Sequence, residues 1–79
     1  MNGLIGTWFT VEILDTDGTW QPDHLEGDAP AAPIAHQAGE EIMAWLRYDG
    51  QTIRVVVWED RETAREPEGQ LPLAIVTRY

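Results

Sequence analysis

Thr52-Ile53-Arg54-Val55-Val56-Val57-Trp58 is the clearest strand in this chain. Its β-branched residues fit a pleated, half-buried surface. Side chains alternate across a strand, so Ile53, Val55 and Val57 share one face while Arg54, Val56 and Trp58 share the other. The first face is wholly aliphatic and needs a cover. A sheet covered on one side by a helix follows if the rest of the chain supplies more strands and an apolar helical stripe.

Upstream, Ile34 to Tyr48 reads as that helix. Pro33 suits the first helical position. Ala35, Ala38, Ile42, Trp45 and Leu46 recur at helical spacing and form one apolar stripe. Gly39 interrupts it at a cost of about 1 kcal/mol against Ala, which marks a place where the helix packs close on the sheet. Asp49-Gly50 ends the segment, with Gly50 as the residue after the C-cap.

Further upstream, Leu4 to Leu14 reads as a strand, with Phe9, Val11 and Ile13 alternating with Thr10 and Glu12. Trp8 falls on the face of those polar residues. Asp15-Thr16-Asp17-Gly18 is a turn signal, because Asx side chains bond the local backbone and Gly accepts positive φ. Thr19 to Gln21 starts a short returning strand, stopped by Pro22. Residues 23–33 then read as a long loop with Gly27, Pro30, Pro33 and three carboxylates. Downstream of Trp58, Glu59 to Gln70 is a charged, solvated excursion with a helical turn at Arg61 to Arg65. Leu71 to Tyr79 is the last strand, and Pro72 places its start at an edge.

The order is ββαββ. It predicts one α+β domain over residues 1–79, with a four-stranded, mainly antiparallel sheet and one helix on one face. β-grasp-like and split-βαβ arrangements both fit. The expected core is Phe9, Val11, Ile13, Ile42, Trp45, Leu46, Ile53, Val55 and Val57. A chain this short buries only about 60% of its unfolded surface, so each of these residues matters.

Charge is unevenly placed. Fourteen acids oppose five arginines, for a net charge of -9, and there is no lysine. No basic residue precedes Arg47, and eight of the acids do: Glu12, Asp15, Asp17, Asp23, Glu26, Asp28, Glu40 and Glu41. Such a field repels nucleic acid and anionic lipid and attracts basic protein surfaces. Direct nucleic-acid binding and membrane binding are therefore not expected. No run approaches the ~18 apolar residues of a membrane span, and no basic region of a secretory signal opens the chain. With no cysteine for disulfides or thiolate metal sites, a cytoplasmic location is expected.

Catalytic parts are missing. The chain has no Ser and no Cys, no phosphate-cradling glycine loop and no carboxylate pair singled out as acid and base, so no enzyme is expected. Asp15 to Trp20 resembles the middle of a calcium loop, but the first and twelfth ligands would be Ile13 and His24, so the turn reading stands. His24, His36 and Glu40 could form a two-His, one-carboxylate site. No recognised spacing supports it, and neither metal nor cofactor is expected.

In size, charge and element order the whole chain resembles the small acidic proteins of phages and other mobile elements. DNA-mimic inhibitors and anti-CRISPR proteins are among them. The resemblance implies an inhibitor docking on the basic surface of a nucleic-acid-handling protein. Asp15, Asp17, Asp23, Glu26, Asp28, Glu40 and Glu41 would carry that recognition. The alternative is an assembly module, which forms a homodimer or docks through Trp8 and Trp58. Those two side chains would lie exposed on the sheet face opposite the helix, unless the 59–70 or 23–33 segment covers them.

Overall fold

A computed structural model describes residues 6–79 of the protein. The elements run β1 (Trp8–Leu14), β2 (Trp20–Asp28), α1 (Ala35–Trp45), β3 (Ile53–Trp58), α2 (Arg61–Arg65) and β4 (Ala74–Arg78). Leu4 and Ile5, expected to open the first strand, lie outside the described residues. The sheet order is β2-β1-β3-β4, and every neighbouring pair is antiparallel. Because β1 is antiparallel to both of its neighbours, β2 and β3 run parallel with β1 between them. This is the split-βαβ option.

The β1–β2 connection is the hairpin turn the sequence signals. Gly18 sits at φ +87°, and its N–H donates to the Asp15 carbonyl at 3.0 Å. The strand that follows differs from expectation. It continues through Pro22 to Asp28 instead of yielding to a loop. β2 is an edge strand, where a proline need not donate to the ladder. It also bulges: Thr10 pairs with Glu26 and Glu12 with Pro22, so Asp23, His24 and Leu25 stand opposite Val11 alone.

Helix α1 is shorter than the sequence suggests at both ends. Ile34 is the N-cap, in extended conformation, so Pro33 precedes the helix and does not open it. Leu46 leaves the helix at ψ 145°, well before Gly50. Arg47 donates to the carbonyls of Ala44 and Leu46, and Arg78 to those of Met43 and Leu46. Beside the Leu46 N–H, which donates to the Met43 carbonyl at 3.2 Å, these cationic groups supply donors to the last carbonyls and complement the helix dipole.

The buried helix face is Ala35, Ala38, Gly39, Ile42 and Met43. Trp45 is not part of it and is 58% exposed. Gly39 is the physical reason. A Cβ built there would lie 2.8 Å from Cγ2 of Val76 and 3.4 Å from Cγ2 of Val57. The helix rests on β3 and β4 through its own backbone, which makes Gly39 the centre of the stripe and rotates Trp45 to its margin. Val11, Ile42, Ile53, Val55 and Val57 are fully enclosed, with Phe9, Met43 and Leu46 nearly so. Ile13, expected in the core, packs against it half-buried.

The face of the sheet away from α1 is not left wet. The short helix α2 packs across β1 and β3. Asp60 caps it, its carboxylate accepting from the Thr63 N–H at 2.7 Å. Val56 and Trp58 are buried beneath this excursion. β3 is therefore covered on both faces, which its near-continuous apolar run already reflects.

Candidate functional site

The acid-rich half sorts into two groups by geometry. Some carboxylates are tied into the framework. Asp15 Oδ1 accepts from the Thr16 N–H at 2.7 Å, and Asp17 Oδ1 accepts from the Thr19 N–H at 2.9 Å and its hydroxyl at 2.6 Å. The Thr19 hydroxyl and amide hold the Asp17 carboxyl below the usual carboxylate range. The Asp17 bond is an Asx turn, made to the backbone two residues on, and each aspartate spends one oxygen on the turn.

Asp23 is bound more deeply. It sits in the β2 bulge, where it accepts from the Leu25 N–H at 3.3 Å and from the Tyr48 hydroxyl at 2.5 Å. Only 13% of its side chain is exposed. The Tyr48 hydrogen bond is the main cause holding its carboxyl below the ordinary value. Burial, then the Asp23 bond and charge, push the Tyr48 hydroxyl up to about 12. This contact ties the segment after α1 to the sheet edge.

Both shifts make the contact pH-sensitive. Asp23 has a lowered folded-state value, so its contribution is present above about pH 4 and is lost as the pH falls through that value. Tyr48 has a raised value, so its contribution is intact below about pH 10 and is lost as the pH climbs toward 12. We expect Tyr48→Phe to lower stability by about 1–2 kcal/mol at neutral pH and to flatten the alkaline limb of a melting-temperature profile. An unchanged limb would show that the pair does not hold the edge.

Glu26 is also engaged. One oxygen accepts from the Trp8 indole N–H at 2.9 Å and lies 3.8 Å from the Arg65 guanidinium. Asp28, Glu40 and Glu41 are exposed. Glu40 faces His36 at 3.7 Å one turn away. His24 pairs with its neighbour Asp23 at 3.5 Å. The structure does not bring His24, His36 and Glu40 together: no cluster of three metal-ligating side chains forms among the described residues.

Trp8 and Trp58 lie directly opposite each other on β1 and β3, on the side away from α1. They differ in environment from the exposed pair the sequence suggests. Trp58 is 9% exposed, and its indole N–H donates to the Thr10 hydroxyl at 2.9 Å. Trp8 is half-buried, with the Arg61 guanidinium 5.4 Å from its ring centroid.

The same face carries a cross-strand group that residue patterns alone do not single out. Arg54 on β3 stands opposite Glu12 on β1, pairs with its carboxylate, and lies 4.3 Å from the Trp20 ring centroid. Spacing places Arg54 and Trp58 on one face, but only the register shows which acid and which ring meet the guanidinium. Between this group and α2 lies a groove of about 490 Å³, with Val56 and Trp58 at its base and the Glu12–Arg54 and Glu26–Arg65 pairs at its rim. Asp23 also lines it, so three carboxylates meet two arginines there.

Comparison with protein-family models, with curated proteins and with solved structures finds no match for the chain. The class is thus set by the fold: a small α+β domain of split-βαβ order with a free-carboxylate surface. No helix among the described residues is long and apolar enough to cross a membrane.

Proposed function

We propose that this chain is an acidic protein-binding module that docks on the basic surface of a protein built to handle nucleic acid, and inhibits it by occupying that surface. One observation carries the reading. Asp15, Asp17, Asp28, Glu40 and Glu41 are exposed, and among the described residues none lies within ion-pair distance of an arginine. The five arginines lie elsewhere: Arg54 on Glu12, Arg65 on Glu26, Arg47 and Arg78 on helix carbonyls, and Arg61 over the Trp8 ring. Carboxylates held on a rigid scaffold present charge as phosphates do, and arginine clefts accept both. Asp23 and Glu26 support this surface from within the framework.

The test is a triple variant, Asp28→Asn with Glu40→Gln and Glu41→Gln, which spares the turn and the Tyr48 contact. Basic proteins from the source cells are captured on wild type and variant at low and high ionic strength, and then challenged with duplex DNA. We expect a captured protein that DNA displaces. Its affinity should fall roughly tenfold or more in the variant, at about 0.5–1 kcal/mol per charge, with a flatter salt dependence. Equal capture by both proteins at both ionic strengths would leave the acidity to solubility alone.

A further inference from the structure

We infer that β4 is a self-docking edge: two copies of this chain join their β4 strands antiparallel, about a two-fold axis at Ile75, and extend each four-stranded sheet into one of eight strands. This rests on a different surface from the free carboxylates and stands without them. Among the described residues, β4 ends the sheet with one side unpaired. An unpaired strand edge is a template for another strand unless it is blocked. The opposite edge is blocked. β2 carries Pro22, a bulge, and the acids Asp23, Glu26 and Asp28. Within Ala74–Arg78, β4 carries no proline and no bulge, Pro72 lies before its start, and its one charged side chain, Arg78, is turned to the carbonyls of Met43 and Leu46.

The exposed apolar side chains say what covers the edge. Leu71 is 90% exposed, Leu73 47%, Ile75 44% and Tyr79 93%. They recur every second residue. Antiparallel pairing about Ile75 sets Ile75 against Ile75 of the second copy, Leu73 against Thr77, and Leu71 against Tyr79. The pattern is therefore complementary to itself, as a two-fold interface requires. In a chain with net charge -9, it is also a route by which two copies meet without setting acid against acid. The pairing spans one short strand and a single row of side chains on each copy, which places it at the small end of specific interfaces, so the dimer is a weak one.

The experiment is sedimentation equilibrium of the full chain over a wide protein concentration range, at low and high ionic strength. The mass should rise from 8.9 kDa toward double that value. Added salt should strengthen the association by screening the like net charge of the copies. Salt weakens docking on a basic partner, so the two readings fail separately. Ile75→Lys places like charges opposite each other at the axis and should weaken dimerisation at least tenfold. Leu71→Lys, at a position too exposed to affect folding, should weaken it as well. Leu25→Lys on the β2 edge should leave it unchanged. A chain that stays monomeric throughout overturns the proposal and leaves the edge to a strand of some other protein. So does a dimer indifferent to both β4 substitutions, or growth beyond a dimer.

Discussion

Leu46→Ala is expected to remove a large share of the protein's folding stability, about 2–5 kcal/mol. Leu46 is the first residue after α1, in extended conformation, and that change of backbone direction turns its side chain into the core. It is 7% exposed and packs in the cluster of Phe9, Val11, Ile42, Met43 and Ile53. Its carbonyl is the shared acceptor of Arg47 and Arg78, so the side chain and the helix terminus are fixed together. Truncating a buried leucine costs about 2–5 kcal/mol, because the cavity adds to the lost transfer energy. Domains carry roughly 0.05–0.15 kcal/mol of stability per residue, so a chain this size has about 4–12 kcal/mol in all. Urea denaturation of Leu46→Ala beside Trp45→Ala is the measurement. The neighbouring tryptophan, 58% exposed, should change stability by no more than about 0.5–1 kcal/mol. If Trp45→Ala proved as damaging as Leu46→Ala, the assignment of the helix face would be wrong.

The contrast between these two neighbours shows where the sequence could be read and where it could not. Both belong to an apolar helical stripe by spacing. What separates them is that Leu46 has left the helix, and that Gly39 lies against Val76 and Val57. Either fact depends on long-range packing that no local pattern encodes. The β1 alternation was legible because β1 buries Phe9 and Val11 on one face and carries Thr10 and Glu12 on the other. β3, covered on both faces, was legible from its run of β-branched residues. β2 was not. An edge strand exposed on both sides has no face to declare, and its Pro22 and Gly27 imitate a loop. The turn at Asp15 to Gly18 was legible because its hydrogen bonds are local. The Asp23–Tyr48 bond joins residues 25 positions apart, and Asp23 therefore read as one more free acid. The charge asymmetry could be counted from the sequence, but which carboxylates stay free depends on where Arg54 and Arg65 land.

Trp58→Ala is expected to have an effect as large as that of Leu46→Ala, and of the same kind. On sequence grounds Trp58 was a candidate for an exposed interface, where truncation would weaken association and spare folding. Helix α2 changes that expectation. With the excursion folded across β1 and β3, Trp58 is 9% exposed and its N–H is paired with Thr10. Removing a buried tryptophan costs about 3–5 kcal/mol. The lost ring would also leave α2 with less to pack on, so the excursion should loosen first. Trp58→Phe separates the two contributions: it keeps most of the packing and gives up the hydrogen bond, for a loss of about 0.5–1.5 kcal/mol. Denaturation midpoints should fall in the order wild type, Phe variant, Ala variant. Proteolysis within residues 59–70 should speed up in the same order, because this ring lies in the floor of the groove against Ala64 and Arg65 of that segment. A folded Trp58→Ala variant with the wild-type midpoint and an equally protected excursion would mean that the face is open. It would restore Trp8 and Trp58 as a docking surface. If instead the midpoint falls as expected, the tryptophan face is a second small core, and docking must use the free carboxylates and the β4 edge.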